Sequence, residues 1–159
     1  MKIKEILEEN NLRFCVCLSE SEEMEKQMIA IGINPCGKSD KHDQNLSFTV
    51  RRLQRIAQNE GRHSLFLINI TPVIAPTVKD LLEKRSLIED YKEKNTKIIE
   101  GICLQYKIPQ DTPILLCFGN AFRIIVNYDS MKNCLKDIIS ILPSKNFKHL
   151  GLTKKNCPK

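Results

Sequence analysis

The sequence contains no run of about 18 consecutive apolar residues, which is the length that a membrane-spanning helix requires. It also has no apolar signal core at the start, because Met1 to Glu5 lead into further acidic positions. These two absences argue against a membrane protein and against a secreted one. We therefore expect no membrane partner and a cytoplasmic location.

Most sequence signatures of cofactor and metal chemistry are missing as well. There is no Gly-x-Gly-x-x-Gly or Walker loop for phosphates, no Gly-x-Ser-x-Gly nucleophile elbow and no His-Glu-x-x-His zinc motif. The histidines His42, His63 and His149 are scattered, and a surface or strand-end position explains each better than a ligand role does. We therefore expect neither a metal site nor a cofactor.

The seven cysteines do not have the pattern of a zinc site or of a disulfide framework. Their number is odd, no Cys-x-x-Cys pair occurs, and most lie inside apolar runs, where a thiol packs as a small hydrophobic group. We expect them to be reduced. Cys36 could instead be a nucleophile, but no His or Asp is predicted beside it to activate the thiol.

Length, composition and charge indicate one folded domain over residues 1–159. With 42% hydrophobic and 28% charged side chains, the 159 residues can bury a hydrophobic core without disulfide bonds or structural metal ions. The formal net charge is +6, and basic residues are grouped in three ranges: 51–55, 92–97 and 145–159. This excess suits a polyanionic partner, although lysine-rich segments also form ordinary solvated faces.

Apolar runs alternate with amphipathic segments along the chain. Nearly continuous apolar runs predict strands buried on both faces at 27–33, 64–70 and 113–118, with shorter strands at 13–18 and 147–152. Helical spacing predicts helices at 45–59, 77–83, 87–106, 120–127 and 130–142. Alternating strands and helices predict a three-layer α/β/α fold whose central sheet has four or five mainly parallel strands.

Polar turns follow these strands at their carboxyl ends, where open α/β sheets bind ligands. The first is Gly32-Ile33-Asn34-Pro35-Cys36-Gly37, and two later strands end at Asn69 and at Gly119-Asn120. Asparagine carries a donor and an acceptor, so it can read the edge of an amide-like ring. Asn-Pro is also a common turn device, because proline fixes the next φ angle. We expect the functional site at Gly32 to Gly37.

The strand ends resemble motifs of a known superfamily. Gly32 to Pro35, followed by a small residue and glycine, resembles the first motif of the uracil-DNA glycosylase superfamily, especially its mismatch-specific, thymine-glycosylase branch. Leu65 to Pro72 resembles its base-reading strand, and Ile114 to Gly119 its next core strand. The chain is more similar still to an uncharacterised bacterial and phage family with a Leu-Asn-Pro-Ser-Thr signature, on which these segments can be placed: Asn34-Pro35, Thr49 to Arg52, Asn69, Gly119 and Leu152 to Pro158.

The resemblance implies roles for individual residues. Asn34, held by Pro35, would orient the attacking water, Asn69 would hydrogen-bond the base edge, and Phe48 would stack on its face. Basic residues would bind phosphates flanking a flipped nucleotide: Arg51, Arg52, Lys154 and Lys155. The turns themselves would supply further substrate contacts: Gly32, Ile33, Pro35, Cys36, Gly119 and Asn120. The expected activity is cofactor-free hydrolysis of the N-glycosidic bond of a modified or mismatched base.

A non-catalytic protein that keeps the base pocket and binds a nucleotide or nucleic acid is the alternative. It is favoured by one departure from both families, whose last motif includes a His-Pro pair where this sequence has Pro158-Lys159. The individual residues have plainer explanations too. Phe48 could be a core or helix-entry contact, and Arg51 and Arg52 could form a solvated helix face.

Overall fold

The computed structural model describes residues 1–35, 48–119, 123 and 127–148. Within these ranges the chain forms six strands: β1 Lys2–Glu9, β2 Leu12–Ser19, β3 Gln27–Gly32, β4 Ser64–Asn69, β5 Ile114–Leu116 and β6 Phe147–Lys148. It also forms these helices there: α1 Phe48–Asn59, α2 Val78–Glu83, α3 Arg85–Asp90, α4 Lys92–Gln105 and α5 Asp129–Ile141. No helix in these ranges is long and apolar enough to cross a membrane.

All six strands belong to one mixed sheet, in the order β1-β2-β4-β3-β5-β6. β1 pairs antiparallel with β2, and β2 pairs antiparallel with β4. The pairs β4–β3, β3–β5 and β5–β6 are parallel. The predicted fold class is therefore wrong in its central sheet, which was expected to have four or five mainly parallel strands. The chain is α/β, but its sheet has six strands of mixed direction.

The first hairpin explains this error. Asn10 and Asn11 join β1 to β2, and their φ angles of 48° and 63° are left-handed. Two-residue hairpin turns of this kind need positive φ at both central positions, which asparagine tolerates better than most residues. β1 lies at the sheet edge and mixes charged with aliphatic residues, so it lacks a continuous apolar run. The apolar run of β2 reports burial on both faces and carries no information about strand direction.

Helices cover both faces of the central strands. On one face, Val50, Leu53 and Ala57 of α1 pack against apolar residues from β2, β3, β4 and β5. On the other face, Ile99 of α4 and Ile138 of α5 belong to the larger core cluster. Because successive side chains of a strand point to opposite faces, each central strand contributes to both clusters.

The predicted helices differ in extent from the observed ones. The helix predicted at 87–106 is divided into α3 and α4 at Tyr91, whose φ of −105° and ψ of 4° are not α-helical. Tyr91 packs against the main core there, a tertiary contact that helical spacing does not encode. Parts of three other predicted elements lie outside the described residues: 45–47, most of 120–127 and 149–152.

The carboxyl ends of β3 and β4 remain joined beyond the strands themselves. The N–H of Ile70 donates to the carbonyl of Gly32 (2.9 Å), and the N–H of Ala75 donates to the carbonyl of Pro35 (3.1 Å). These bonds hold the turn after β3 against the segment after β4. Since the two strands are parallel, the two turns that were predicted to carry the site lie side by side.

Candidate functional site

A cavity of about 250 Å³ lies at the carboxyl ends of β3 and β4, on the face that α1 covers. Its lining comes from three strands, the turn after β3, α1 and the segment after β5: Arg13, Val16, Gly32, Ile33, Asn34, Pro35, Thr49, Val50, Leu53, Leu67, Asn69 and Cys117. The structure thus brings together Asn69 and the described part of the predicted Gly32 to Gly37 turn, which is Gly32 to Pro35.

Gly32 and Asn69 are register partners in the parallel pair of β3 and β4. A Cβ atom at position 32 would lie 2.7 Å from Oδ1 of Asn69, which is closer than non-bonded carbon and oxygen atoms approach. Any side chain at position 32 would therefore displace the amide of Asn69. Close approach of the Asn69 amide thus favours glycine here, although the φ angle of Gly32 is ordinary.

Asn69 carries an open amide group in a buried position. The residue is only 4% exposed, yet within the described ranges its side-chain amide has no hydrogen-bond partner. Its backbone is held from the opposite face, because Nδ2 of Asn95 on α4 donates to the carbonyls of Asn69 (3.0 Å) and Ile70 (3.1 Å). Because Asn69 lines the cavity, its amide can offer a donor and an acceptor to a ligand there.

Asn34 is fixed by two hydrogen bonds to the backbone. Its side-chain Nδ2 donates to the carbonyl oxygens of Pro35 (2.9 Å) and Ala75 (2.8 Å). The reversed amide would place its oxygen against two carbonyls, so the hydrogen bonds determine which end of the group faces them. Oδ1 is left as an acceptor without a partner among the described residues. An acceptor held in this way can orient a water molecule or a ligand donor.

Arg13 also lines the cavity, and it was not among the predicted site residues. Its side chain is 14% exposed, and its Nε donates to Oε2 of Glu8 on β1 at 3.5 Å. The guanidinium nitrogen Nη2 is buried and has no hydrogen-bond partner among the described residues. The sequence did contain a signal, because Arg13 is the single charged residue of the strand LRFCVCLS.

Cys117 and Thr49 complete the polar part of the lining, and neither was predicted as a site residue. Burial raises the pKa of Cys117 to about 12, against the opposing effect of Arg52. Its thiol is therefore protonated at neutral pH and unsuited to nucleophilic attack. Cys36, the cysteine that was predicted at the site, lies outside the described residues.

The remaining predicted residues that the structure describes do not line the cavity. Phe48 begins α1 and is 76% exposed, and Arg51 and Arg52 are exposed on the same helix. Gly119 has a left-handed φ of 53° and does not line the cavity. Three predicted residues lie outside the described ranges: Asn120, Lys154 and Lys155.

A larger cleft of about 740 Å³ lies beside the β1–β2 hairpin. Its lining comes from the hairpin, the segment after β4 and the region around α3: Glu8, Asn10, Asn11, Leu12, Val73, Ile74, Pro76, Lys84, Leu87 and Tyr91. Lys84 donates from Nζ to the carbonyl of Ile74 at 2.9 Å. Across the described ranges, no group of three or more His, Cys, Asp or Glu side chains is placed to hold a metal ion.

Comparison with protein families gives a match over nearly the whole chain. The profile described as "Protein of unknown function (DUF1643)" matches residues 15–159, a range that contains every residue of the smaller cavity except Arg13. No curated protein and no solved structure gives a significant match. The chain therefore belongs to the DUF1643 family of proteins of unknown function.

Proposed function

We propose that this domain binds a nucleobase in the smaller cavity and hydrolyses the N-glycosidic bond of that nucleotide. The observation that carries the proposal is a pair of asparagines in one cavity: Asn69 with an open amide and Asn34 with a fixed acceptor. An amide presents a donor beside an acceptor, which matches the edge of a nucleobase. The resemblance of both strand ends to the uracil-DNA glycosylase superfamily supports the same assignment.

The reaction requires few protein groups, because the sugar passes through an oxocarbenium-like state. The water oxygen forms a bond to the anomeric carbon, the carbon–nitrogen bond breaks, and its electron pair leaves with the base. The proton that the water loses is finally taken up by the departing base. Oδ1 of Asn34 would accept a hydrogen bond from the water and direct its lone pair at the carbon, while Asn69 would hold the base edge.

The size and the walls of the cavity suit a single base. Its volume of about 250 Å³ is below the roughly 300 Å³ at which pockets for drug-sized ligands begin. Val16, Leu53 and Leu67 provide aliphatic walls against which the faces of a ring can pack. Enzymes that act on flipped bases use pockets of this kind, with apolar contacts to the faces and hydrogen bonds to the edge.

A non-catalytic nucleobase binder is the second candidate, and the composition of the lining favours it. Among the described residues that line the cavity there is no carboxylate and no imidazole. Proton transfer to or from the reacting groups would then depend on water, without the rate gain of roughly 100-fold or more that a positioned acid or base typically supplies. A pocket of amides and aliphatic walls could bind a base without cleaving it.

The proposed partner is a nucleic acid or a nucleotide, and the proposed location is the cytoplasm. Arg51, Arg52 and Arg55 are exposed on α1, the helix that covers the cavity. Arginines there would contact phosphates next to a nucleotide whose base has entered the cavity. The described cysteines are free thiols, which agrees with a reducing compartment.

The test is base release from duplex oligonucleotides that each carry one modified or mismatched base, followed by mass spectrometry. We expect Asn34→Ala to reduce release by at least ~100-fold, because a misplaced nucleophile loses rate on that scale. Leu87→Ala, in the larger cleft, should leave release unchanged. Thermal unfolding of both variants would separate a lost acceptor from a lost fold.

Two outcomes would decide against hydrolysis by this mechanism. Equal release by the wild type and by Asn34→Ala would exclude Asn34 as the residue that orients water. Tight binding of a base-containing ligand by the wild type, with no product from any substrate, would favour the non-catalytic binder.

A further inference from the structure

Arg13 brings a positive charge into the smaller cavity, and the mechanism outlined above does not use it. It lies on β2, which pairs antiparallel with β4, so that the amino end of β2 lies beside the carboxyl end of β4. Register partners Cys15 and Ile68 fix this arrangement. Arg13 therefore reaches the same cavity as Asn69 from the next strand of the sheet.

The guanidinium of Arg13 is only partly satisfied within the protein. The contact of Nε with Glu8 is long, at 3.5 Å, and it uses one of the five N–H donors that arginine carries. Nη2 is buried and meets no acceptor in the part of the chain that the structure describes. An unpaired buried donor is costly, and more so on a charged group, so a ligand acceptor at this position would gain the interaction that the protein leaves open.

We propose that Arg13 makes the cavity selective for 6-oxopurines, the bases that present O6 and N7 as adjacent acceptors. A guanidinium fork fits O6 and N7 with two parallel hydrogen bonds, which is the commonest specific arginine contact to a base. The amide of Asn69, in the same cavity, would bind a second edge of the ring. This inference rests on the proposed nucleobase pocket and narrows its ligand to guanine and hypoxanthine.

The surroundings of Arg13 favour a ring over a phosphate group. A phosphate would need several further donors around it, whereas the nearby walls include the aliphatic side chains of Val16, Leu53 and Leu67. These walls suit the faces of a planar base. The ring of a 6-oxopurine offers apolar faces and an acceptor edge together, and both kinds of surface are present in this cavity.

The selectivity can be measured on the wild-type protein with a panel of nucleosides by isothermal titration calorimetry. Guanosine and inosine should bind about 5- to 150-fold more tightly than adenosine, which lacks O6, and than 7-deazaguanosine, which lacks N7. Arg13→Lys keeps the charge but loses the fork, so it should reduce this preference to near one. Arg85→Lys, at the exposed start of α3 and outside both cavities, is the matched control and should keep the preference.

Each contrary result has a separate meaning. Equal affinity for all four nucleosides, or a preference that survives Arg13→Lys, would overturn the purine assignment and leave the base pocket standing. Competition by inorganic phosphate, with binding of nucleoside monophosphates regardless of the base, would overturn it in favour of a phosphate site. If the wild type binds none of these nucleosides or monophosphates, both the selectivity and the nucleobase pocket are rejected.

Discussion

The smaller cavity under α1 and the larger cleft beside the hairpin differ in how their polar groups are satisfied. In the cleft of about 740 Å³, the charged end of Lys84 bonds the Ile74 carbonyl and Glu8 bonds Arg13. In the cavity of about 250 Å³, Nη2 of Arg13 is buried without a partner in the described part of the chain, and the side-chain amide of Asn69 makes no hydrogen bond there. The smaller space therefore has unused hydrogen-bonding capacity.

This difference supports the smaller cavity as the proposed site, although the larger cleft has the greater volume. Unpaired buried donors and acceptors are rare in proteins, and each one calls for a physical reason. A ligand that pairs with them is such a reason, and it applies to the smaller cavity. The Arg13–Glu8 pair lies between the two spaces, because Arg13 lines the smaller one and Glu8 the larger one.

Gly32→Ala should have the largest effect on the smaller cavity, because it acts directly on the amide of Asn69. A Cβ atom 2.7 Å from Oδ1 of Asn69 forces that side chain to move. We expect nucleoside affinity to fall by about 5- to 150-fold, the range for a lost pair of specific hydrogen bonds, with about 1–3 kcal/mol of stability lost through overpacking. Calorimetric titration and urea unfolding measure the two effects.

The matched control for this substitution is Gly101→Ala. Gly101 is exposed on α4, and a Cβ there would meet nothing within 4 Å. Alanine should stabilise the helix by about 1 kcal/mol and leave binding unchanged. Unchanged affinity in Gly32→Ala would show that the Asn69 amide takes no part in binding.

Asn95→Ala tests the support behind the smaller cavity. Asn95 is buried, and its Nδ2 donates hydrogen bonds to the carbonyls of both Asn69 and Ile70. Removing it leaves two carbonyl acceptors without that donor. It also removes Oδ1 of Asn95, which is buried and has no partner within the described ranges. We expect a net loss of about 1–2 kcal/mol in the free energy of unfolding.

Urea denaturation would measure this loss, with Asn59→Ala at the exposed end of α1 as the control. The control should change stability by no more than about 0.5 kcal/mol. An Asn95→Ala protein as stable as the wild type would show that the end of β4 does not need this donor.

The smallest effect near neutral pH is expected from the buried cysteines. Burial raises the pKa of Cys117 to about 12 and that of Cys103 and Cys134 to about 11, from a usual value of 9.0. The folded protein therefore holds these protons more tightly than the unfolded chain does. The stability that these protonated thiols contribute is fully present below pH 9 and should be lost as the pH rises from about 9 towards 12.

Thermal unfolding measured from pH 7 to pH 11 under reducing conditions would follow this loss. Cys117→Ala should make the fall in Tm at alkaline pH smaller. Between pH 7 and pH 8, ionisation of this thiol should not change Tm. A Tm that does not change between pH 8 and pH 11 would contradict the burial of these groups.

Local sequence patterns predicted the central part of the fold. The apolar runs at 27–33 and 64–70 became β3 and β4, because a strand covered on both faces must be apolar throughout. The polar residues that end these runs, Asn34 and Asn69, meet in one cavity because adjacent parallel strands finish at the same edge. Both inferences depend on burial and on chain order, which a sequence records directly.

The direction of β2 could not be read in the same way. Its apolar residues are equally compatible with a parallel and an antiparallel neighbour, and the charged strand β1 showed no apolar run at all. The division of the helix at Tyr91 was missed for a related reason, because neither glycine nor proline marks it. Contacts with distant parts of the chain decided these features.

The amino-acid sequence by itself determined which strands are buried and which polar residues end them. The tertiary structure alone decided that β2 runs antiparallel to β4, and this places Arg13 beside Asn69. Had β2 been parallel to β4, Arg13 would lie beside the amino end of β4, away from Asn69. The register of β3 on β4 likewise sets Gly32 against Asn69. Hydrophobic patterning specifies burial, but only hydrogen bonding between distant strands specifies direction and register.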